Sequence, residues 1–307
     1  MTQSVVTFYR FFELDHLDRW RDELDRRASK LDIKGTILLA EEGINGTLTG
    51  SRDALNEFAG WLAGQSEFAG MPFKYSTSEP DNPVFYRLKV RVKPEIVSMG
   101  RPGVRPAAAT GEHVNAREFN ELLDDPDVMV IDTRNGYEIE IGSFPGAVDP
   151  QTRSFRQFPD FVAGNLNPDQ QSRVAMFCTG GVRCEKASAY LLEQGFSKVY
   201  QLDGGILKYL ETVNPEENRW EGECFVFDQR VSVDDTLAEG SYEQCFACRR
   251  ALGEVELASP DYVQGVSCQH CVNEQAPEQT AAFSERQKQM ELAAARGDQH
   301  IGKRQPD

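Results

Sequence analysis

The stretch RVAMFCTGGVRCEKASAYLLEQG, residues 173–195, leaves this chain little freedom of architecture. A short apolar strand ends in Cys178, a tight loop with two glycines follows from Thr179 to Arg183, and a helix begins at once and closes at Gly195. A strand that is apolar throughout and runs directly into a helix belongs to a parallel sheet covered on both faces. The neighbouring segments keep the alternation: NAREFNELL (115–123) reads as a helix, and VMVID (128–132) and KVYQL (198–202) as further apolar strands. Residues 109–218 are therefore expected to form a parallel α/β domain.

The loop also carries chemistry. Glycines let the backbone curl so that successive amides point at one spot, and the helix N-terminus adds partial positive charge. Arg183 and Lys186 bring formal charge nearby. The amides of Thr179, Gly180, Gly181 and Val182, with Arg183, would cradle an anion on Cys178 sulfur and lower its thiol pKa below about 8.5. A buried structural cysteine is the competing reading, but it explains neither the paired glycines nor the arginine. Cys184, in the first helical turn, either resolves an oxidised Cys178 or packs inward; its place on a helix favours packing.

Two other regions flank this one. Residues 1–108 alternate strands and helices in the order β-α-β-β-α-β: SVVTFYRFF, a helix over 15–31, two strands in KGTILLAEEGINGTLTG with a turn at Glu42–Asn45, a helix from Ser51 to Gly64, then FKYSTSE and FYRLKVRVK. That order predicts an α+β sandwich of ferredoxin/acylphosphatase type, with helices on one face of an antiparallel sheet. GRPGVRPAAATG (100–111) reads as the linker to the α/β domain.

Residues 219–307 hold five of the seven cysteines. Cys245 and Cys248, then Cys268 and Cys271, are two C-x₂-C knuckles whose spacing suits four thiolates around zinc, with redox-cycling thiols as the alternative. A region with so little apolar periodicity also needs such a staple to fold. His270, between the last pair, is expected at the surface, and Cys224 inside a strand. SERQKQMELAAARG reads as a surface helix, and the terminal DQHIGKRQPD as disordered.

Charge is unevenly spread. The chain carries −16 overall, yet residues 86–105 set six cations against Glu95, a local +5 that leaves −21 for the rest. Arg87, Lys89, Arg91 and Lys93 alternate with Leu88, Val90 and Val92, so one strand face is basic. Such a strand either guards a sheet edge against aggregation or tracks the phosphates of a nucleic acid. The low pI excludes indiscriminate binding to nucleic acid or anionic lipid. No apolar run approaches a membrane span and the polar start lacks a signal-peptide core, so a cytoplasmic protein with reduced thiols and no membrane partner is expected.

The loop at Cys178 resembles that of rhodanese-type sulfurtransferases, in which the catalytic cysteine carries a persulfide. IDTRNGYEIEIGSFPGAV is similar to that domain's Asp-x-Arg strand end and Gly-x-x-Pro-Gly-Ala turn, and VYQLDGGILKY to its closing strand. Ser143 stands where many rhodanese domains have His, which weakens a catalytic role there. The six residues from Cys178 to Arg183 suit a persulfide, whereas the related dual-specificity phosphatases use one more.

Over residues 4–272 the order of LLAEEGINGTLTG, RLKVRVKPEIVSMG, CTGGVRCEKASAYLLEQGF, YQLDGGILKYLE, WEGECFVFD and the two knuckles resembles the rhodanese-containing, oxygen-dependent tRNA uridine hydroxylases. Phe246 stands where members of that family often have His. The resemblance implies 5-hydroxyuridine formation at the wobble position, O₂ as co-substrate, Cys178 as the catalytic persulfide carrier and tRNA as partner, with the basic strand as a backbone contact.

Residues alone suggest less: a persulfide enzyme acting near RNA. His16, His113, His270 and His300 are too scattered to predict a two-His-one-carboxylate iron site, and no G-x-G-x-x-G segment appears, so the redox cofactor stays unassigned. Two other functions fit the same residues. One is a sulfurtransferase that accepts sulfur from a donor protein or small thiol and passes it to tRNA or a thiol. The other is a non-catalytic RNA or protein adaptor.

Overall fold

The computed structural model describes residues 3–78 and 84–297. The N-terminal sandwich comprises β1 (Gln3–Phe11), α1 (Leu17–Lys30), β2 (Lys34–Ala40), β3 (Gly43–Gly50), α2 (Arg52–Ala63), β4 (Lys74–Ser78) and β5 (Leu88–Val92). Trp20, Leu24 and Ala28 recur every fourth residue of α1, which places them on one buried stripe. Ser51 Oγ accepts the Ala54 amide at 3.2 Å and caps α2, which ends at Gly64 as the sequence predicts. Val6 and Phe8 of β1 join the buried stripes of both helices in one core. Side chains alternate along a strand, so Thr7, Tyr9 and Phe11 occupy the opposite sheet face, which neither helix covers.

Two local expectations are corrected. The sheet runs β4-β1-β3-β2-β5, and β5 pairs in parallel with β2, so it is not wholly antiparallel. Because β4 fills the edge beside β1, the outer edge of β2 is what remains for a fifth strand. The turn after β2 is Glu41–Glu42, and Asn45 already lies in β3. Gly43, at φ +137°, makes the reversal in two residues, so the strand restarts earlier than expected. On β5, Leu88 and Val90 pack on the core while Arg87, Arg91 and Lys93 are exposed and Lys89 is half-buried. Val92 is exposed, so the apolar side of this edge strand is incomplete.

The central domain comprises β6 (Glu112–Val114), α3 (Ala116–Leu123), β7 (Met129–Asp132), α4 (Gly136–Ile139), β8 (Gly142–Ser143), α5 (Phe158–Asn165), β9 (Arg173–Phe177), α6 (Val182–Glu193), β10 (Lys198–Leu202) and α7 (Gly205–Thr212). Its sheet runs β6-β10-β9-β7 with every pairing parallel. Alternation along β9 divides the core. Ala175 and Phe177 face a cluster with Phe119, Phe144 and Tyr209, whereas Val174, Met176 and Cys178 face Ile131, Ala187 and Leu191. Met99 and Val104 are buried in the second cluster, so the stretch expected as a linker is partly seated on the α/β core.

The C-terminal region starts on that core. β11 (Glu221–Gly222) pairs with β8, and β12 (Cys224–Phe225) with β13 (Ser232–Val233). Trp220, Cys224, Val226 and Val233 join the cluster around Phe177. β14 (Glu243–Gln244), β15 (Ala251–Leu252) and α8 (Glu254–Leu257) follow, around a small cluster of Leu252 and the cysteines. The surface helix α9 (Pro277–Ala294) begins seven residues before the expected start at Ser284, and Ala293 is its one buried residue. The terminal DQHIGKRQPD, with His300, lies outside the described residues. Among the described residues, no helix is long and apolar enough to cross a membrane.

Candidate active site and metal centre

Cys178 follows directly on β9, and α6 starts four residues later behind Gly181, whose φ of +99° lets the loop turn back on itself. The Gly181 amide donates to Cys178 Sγ at 3.1 Å. Burial opposes an anion there, but the Cys184 thiol, the charge of Arg183 and the Cys184 and Arg183 amides outweigh it and bring the Cys178 thiol down to about 5. The amide within hydrogen-bond distance of Sγ is that of Gly181, and the Arg183 and Cys184 amides of the first helical turn add to the favourable field. Cys184 is buried and within 3.5 Å of Thr133 Oγ1. Burial and the hydrogen bond to Cys178 push its own thiol well above the usual range, so it stays protonated and donates. Cys224 packs in β12, where burial pushes its thiol up to about 12.

Two basic residues of the motif have partners that the sequence does not reveal. The Arg183 guanidinium is held by Glu138 in two bonds of 2.6 and 2.8 Å, and reaches Thr179 Oγ1 at 3.3 Å. Glu138 also accepts the Asn135 amide at 3.1 Å, so one carboxylate caps α4 and fixes the arginine beneath the loop. Lys186 does not serve the sulfur, which corrects the sequence reading. Its Nζ is fully buried between Glu42, at 2.5 Å, and Glu95, at 2.6 Å, both in the N-terminal part of the chain. Ser143 Oγ donates to Asp132 at 2.9 Å and joins the buried Asp132–Arg134 ion pair, a supporting role away from the sulfur.

A cleft of about 550 Å³ opens between the bare sheet face and this loop. Thr7, Tyr9, Phe11 and Lys74 form one wall, Gly180, Glu185 and Gly204 the other, and Val226 and Arg230 close it. Cys178 is 0% exposed, behind Gly180 and Gly181. His113 Nε2 lies 2.9 Å from Glu185 Oε1 at the cleft wall, and Lys208 pairs with Asp203 beside it. Arg87, Lys89, Arg91 and Lys93 do not line the cleft. The sequence reading missed Tyr9, Glu138 and the Lys186 partners. Only Glu138 left a local trace, the Asn-x-x-Glu pattern of a capping box.

The four knuckle cysteines come together, with their sulfurs all within 4.8 Å of one another. Neighbouring Sγ atoms are 3.7, 3.8 and 3.9 Å apart, too far for a disulfide. Tetrahedral zinc at about 2.3 Å from each sulfur needs edges of about 3.8 Å, which these three pairs match, so the four thiolates fit such a metal. Gln275 Nε2 donates to Cys271 Sγ at 3.0 Å, and Arg286 of α9 binds the carbonyls of Phe246 and Gly265 at 3.1 and 2.8 Å. His270 lies outside the group.

Comparison with known families agrees with this geometry. Residues 115–212 match the family described as Rhodanese-like domain. The sulfur loop belongs to a rhodanese-like domain. Residues 3–96 match the UPF0176 acylphosphatase like domain. Among solved structures, the rhodanese-like domain of an Anabaena sp. protein is 19% identical over 37% of this chain and 80% of its own, with a TM-score of 0.30. A rhodanese-related protein from Thermoplasma volcanium is 22% identical over 34% and 95%, with a TM-score of 0.28. An acylphosphatase from Coxiella burnetii is 14% identical over 29% and 93%, with a TM-score of 0.23. An acylphosphatase-like unit thus precedes a rhodanese-like one that carries a cysteine set up as an anion.

Proposed function

We propose that this protein is an enzyme that hydroxylates the wobble uridine of tRNA at C5, using O₂, with a rhodanese-type cysteine at the centre of the reaction. The single observation that carries a cysteine enzyme is the Cys178 sulfur held under the Gly181 amide at the start of α6, beside a cleft. The sequence motifs shared with the tRNA uridine hydroxylases support the finer assignment. In this reading Cys178 carries the persulfide, and Arg183 fixes the loop through Glu138. The exposed Arg87, Arg91 and Lys93 of the edge strand, with Lys89, contact the tRNA backbone. Zinc on Cys245, Cys248, Cys268 and Cys271 is structural, and the reaction takes place in the cytoplasm.

Nucleoside mass spectrometry of tRNA from a deletion strain tests this assignment. Loss of 5-hydroxyuridine derivatives, restored by the wild-type gene and not by Cys178→Ser, is the expected result. A second reading, transfer of persulfide sulfur to tRNA or a thiol, is favoured by the same buried cradle. Loss of a thiolated nucleoside instead would replace the first reading with the second, and full restoration by Cys178→Ser would leave only the adaptor.

A further inference from the structure

The sulfur cradle is built by the α/β domain, but the group nearest its mouth comes from elsewhere. Tyr9 lies on β1 of the N-terminal sandwich, on the sheet face that no helix covers. A Cβ placed on Gly181 would fall 2.6 Å from Tyr9 Oη, so the hydroxyl rests on the residue whose amide holds Cys178. Among the described residues, that half-buried hydroxyl makes no hydrogen bond. The hydroxyl opens on the cleft, so it is free to donate to an acceptor that enters there. Cys178 Sγ itself is enclosed and already satisfied. A second sulfur on Cys178 would add an acceptor one bond beyond Sγ, beside the glycine on which this hydroxyl rests.

We propose that Tyr9 is a positioning residue supplied by the N-terminal sandwich, its hydroxyl donating to the outer sulfur of a persulfide on Cys178. This inference rests on the cysteine reading above. It gives the sandwich a part in the chemistry, since the cradle is incomplete without β1. Burial, and then the negative charges of Glu185, Cys178 and Asp203, raise the phenol far above its usual range, so it remains a donor at every working pH. The other charged or titratable groups facing the sulfur are Arg183 and Cys184 on α6 and Lys74 on β4. None of these is altered by removing one oxygen from Tyr9.

The test compares full-length wild type with Tyr9→Phe, each as free thiol and as persulfide. Thiosulfate loads the site: the Cys178 thiolate takes the outer sulfur and sulfite leaves with the electron pair of the broken S–S bond. Cyanide unloads it, forming thiocyanate and returning the thiolate. Alkylation of Cys178 against pH, read by mass spectrometry, is followed for both forms. A hydrogen bond to the anion lowers its pKa, so losing it should move the persulfide midpoint up by about one unit and slow thiocyanate formation about tenfold. The free-thiol profile should stay in place, because Gly181, Arg183 and Cys184 still hold Sγ.

Persulfide profiles that superimpose overturn the inference, and so does a shift shared by both forms, which marks a structural role. Wild-type thiol that is inert near neutrality overturns the cysteine reading itself. Should Tyr9→Phe fail to fold, Tyr9→Leu carries the same comparison, likewise without a donor or a charge, and a shift confined to the persulfide is again expected.

Discussion

Lys186→Met should separate the two domains of this protein energetically while leaving the sulfur loop chemically unchanged. The Nζ sits 2.5 Å from Glu42 and 2.6 Å from Glu95, with no solvent around it. Two carboxylate oxygens that share one ammonium lie within about 5 Å of each other, and without it they repel by about 3 kcal/mol at an effective dielectric of about 20. Breaking one partner out of a buried ion group costs about 3–5 kcal/mol by general experience, which agrees. The loss should appear in urea unfolding followed by tryptophan fluorescence, with Trp20 and Trp61 reporting the sandwich and Trp220 the α/β core. The two signals should stop coinciding, because domains that have lost their shared ion group unfold separately.

The pH dependence distinguishes this cause from simple cavity formation. In the wild type, burial opposes ionisation of Glu95, but Lys186 and the Gly100 and Met99 amides hold its carboxyl below the usual range. That stability is present above the unfolded carboxyl pKa of about 4.3 and is lost as pH falls below it. In Lys186→Met the unneutralised pair binds a proton more tightly folded than unfolded. The variant therefore gains stability as pH falls from 7.5 towards 5, where the wild type does not. A loss below 1 kcal/mol, or a variant with the wild-type pH slope, would refute the reasoning.

Two further predictions follow from local geometry. Gly181→Ala places a methyl 2.6 Å from Tyr9 Oη at a φ of +99°, so sulfur loading of Cys178, measured as thiocyanate formed, should fall more than tenfold with far-UV circular dichroism unchanged. Purified reduced protein should contain about one zinc per chain by elemental analysis, and Cys248→Ser should lower that ratio and expose α9 to proteolysis, since Arg286 is anchored on the Phe246 and Gly265 carbonyls beside the knuckles.

What the chain determines by itself is what short segments decide among their own neighbours. The apolar strand, the two glycines and the immediate helix fix where Cys178 sits and that amides converge on it, because backbone hydrogen bonds and φ angles there are local. The C-x₂-C pairs likewise fix two knuckles, each complete in four residues. The sandwich was legible from its periodicity, though not the parallel edge strand, whose place depends on which edge remains open. Tertiary structure alone decides where long side chains end. Arg183 finds Glu138 45 residues away, and Lys186 finds Glu42 144 residues away, so motif arithmetic credits the lysine to the wrong anion. Tyr9 belongs to the sulfur site only because the uncovered face of one domain is laid over the loop of another, and nothing within either segment encodes that apposition.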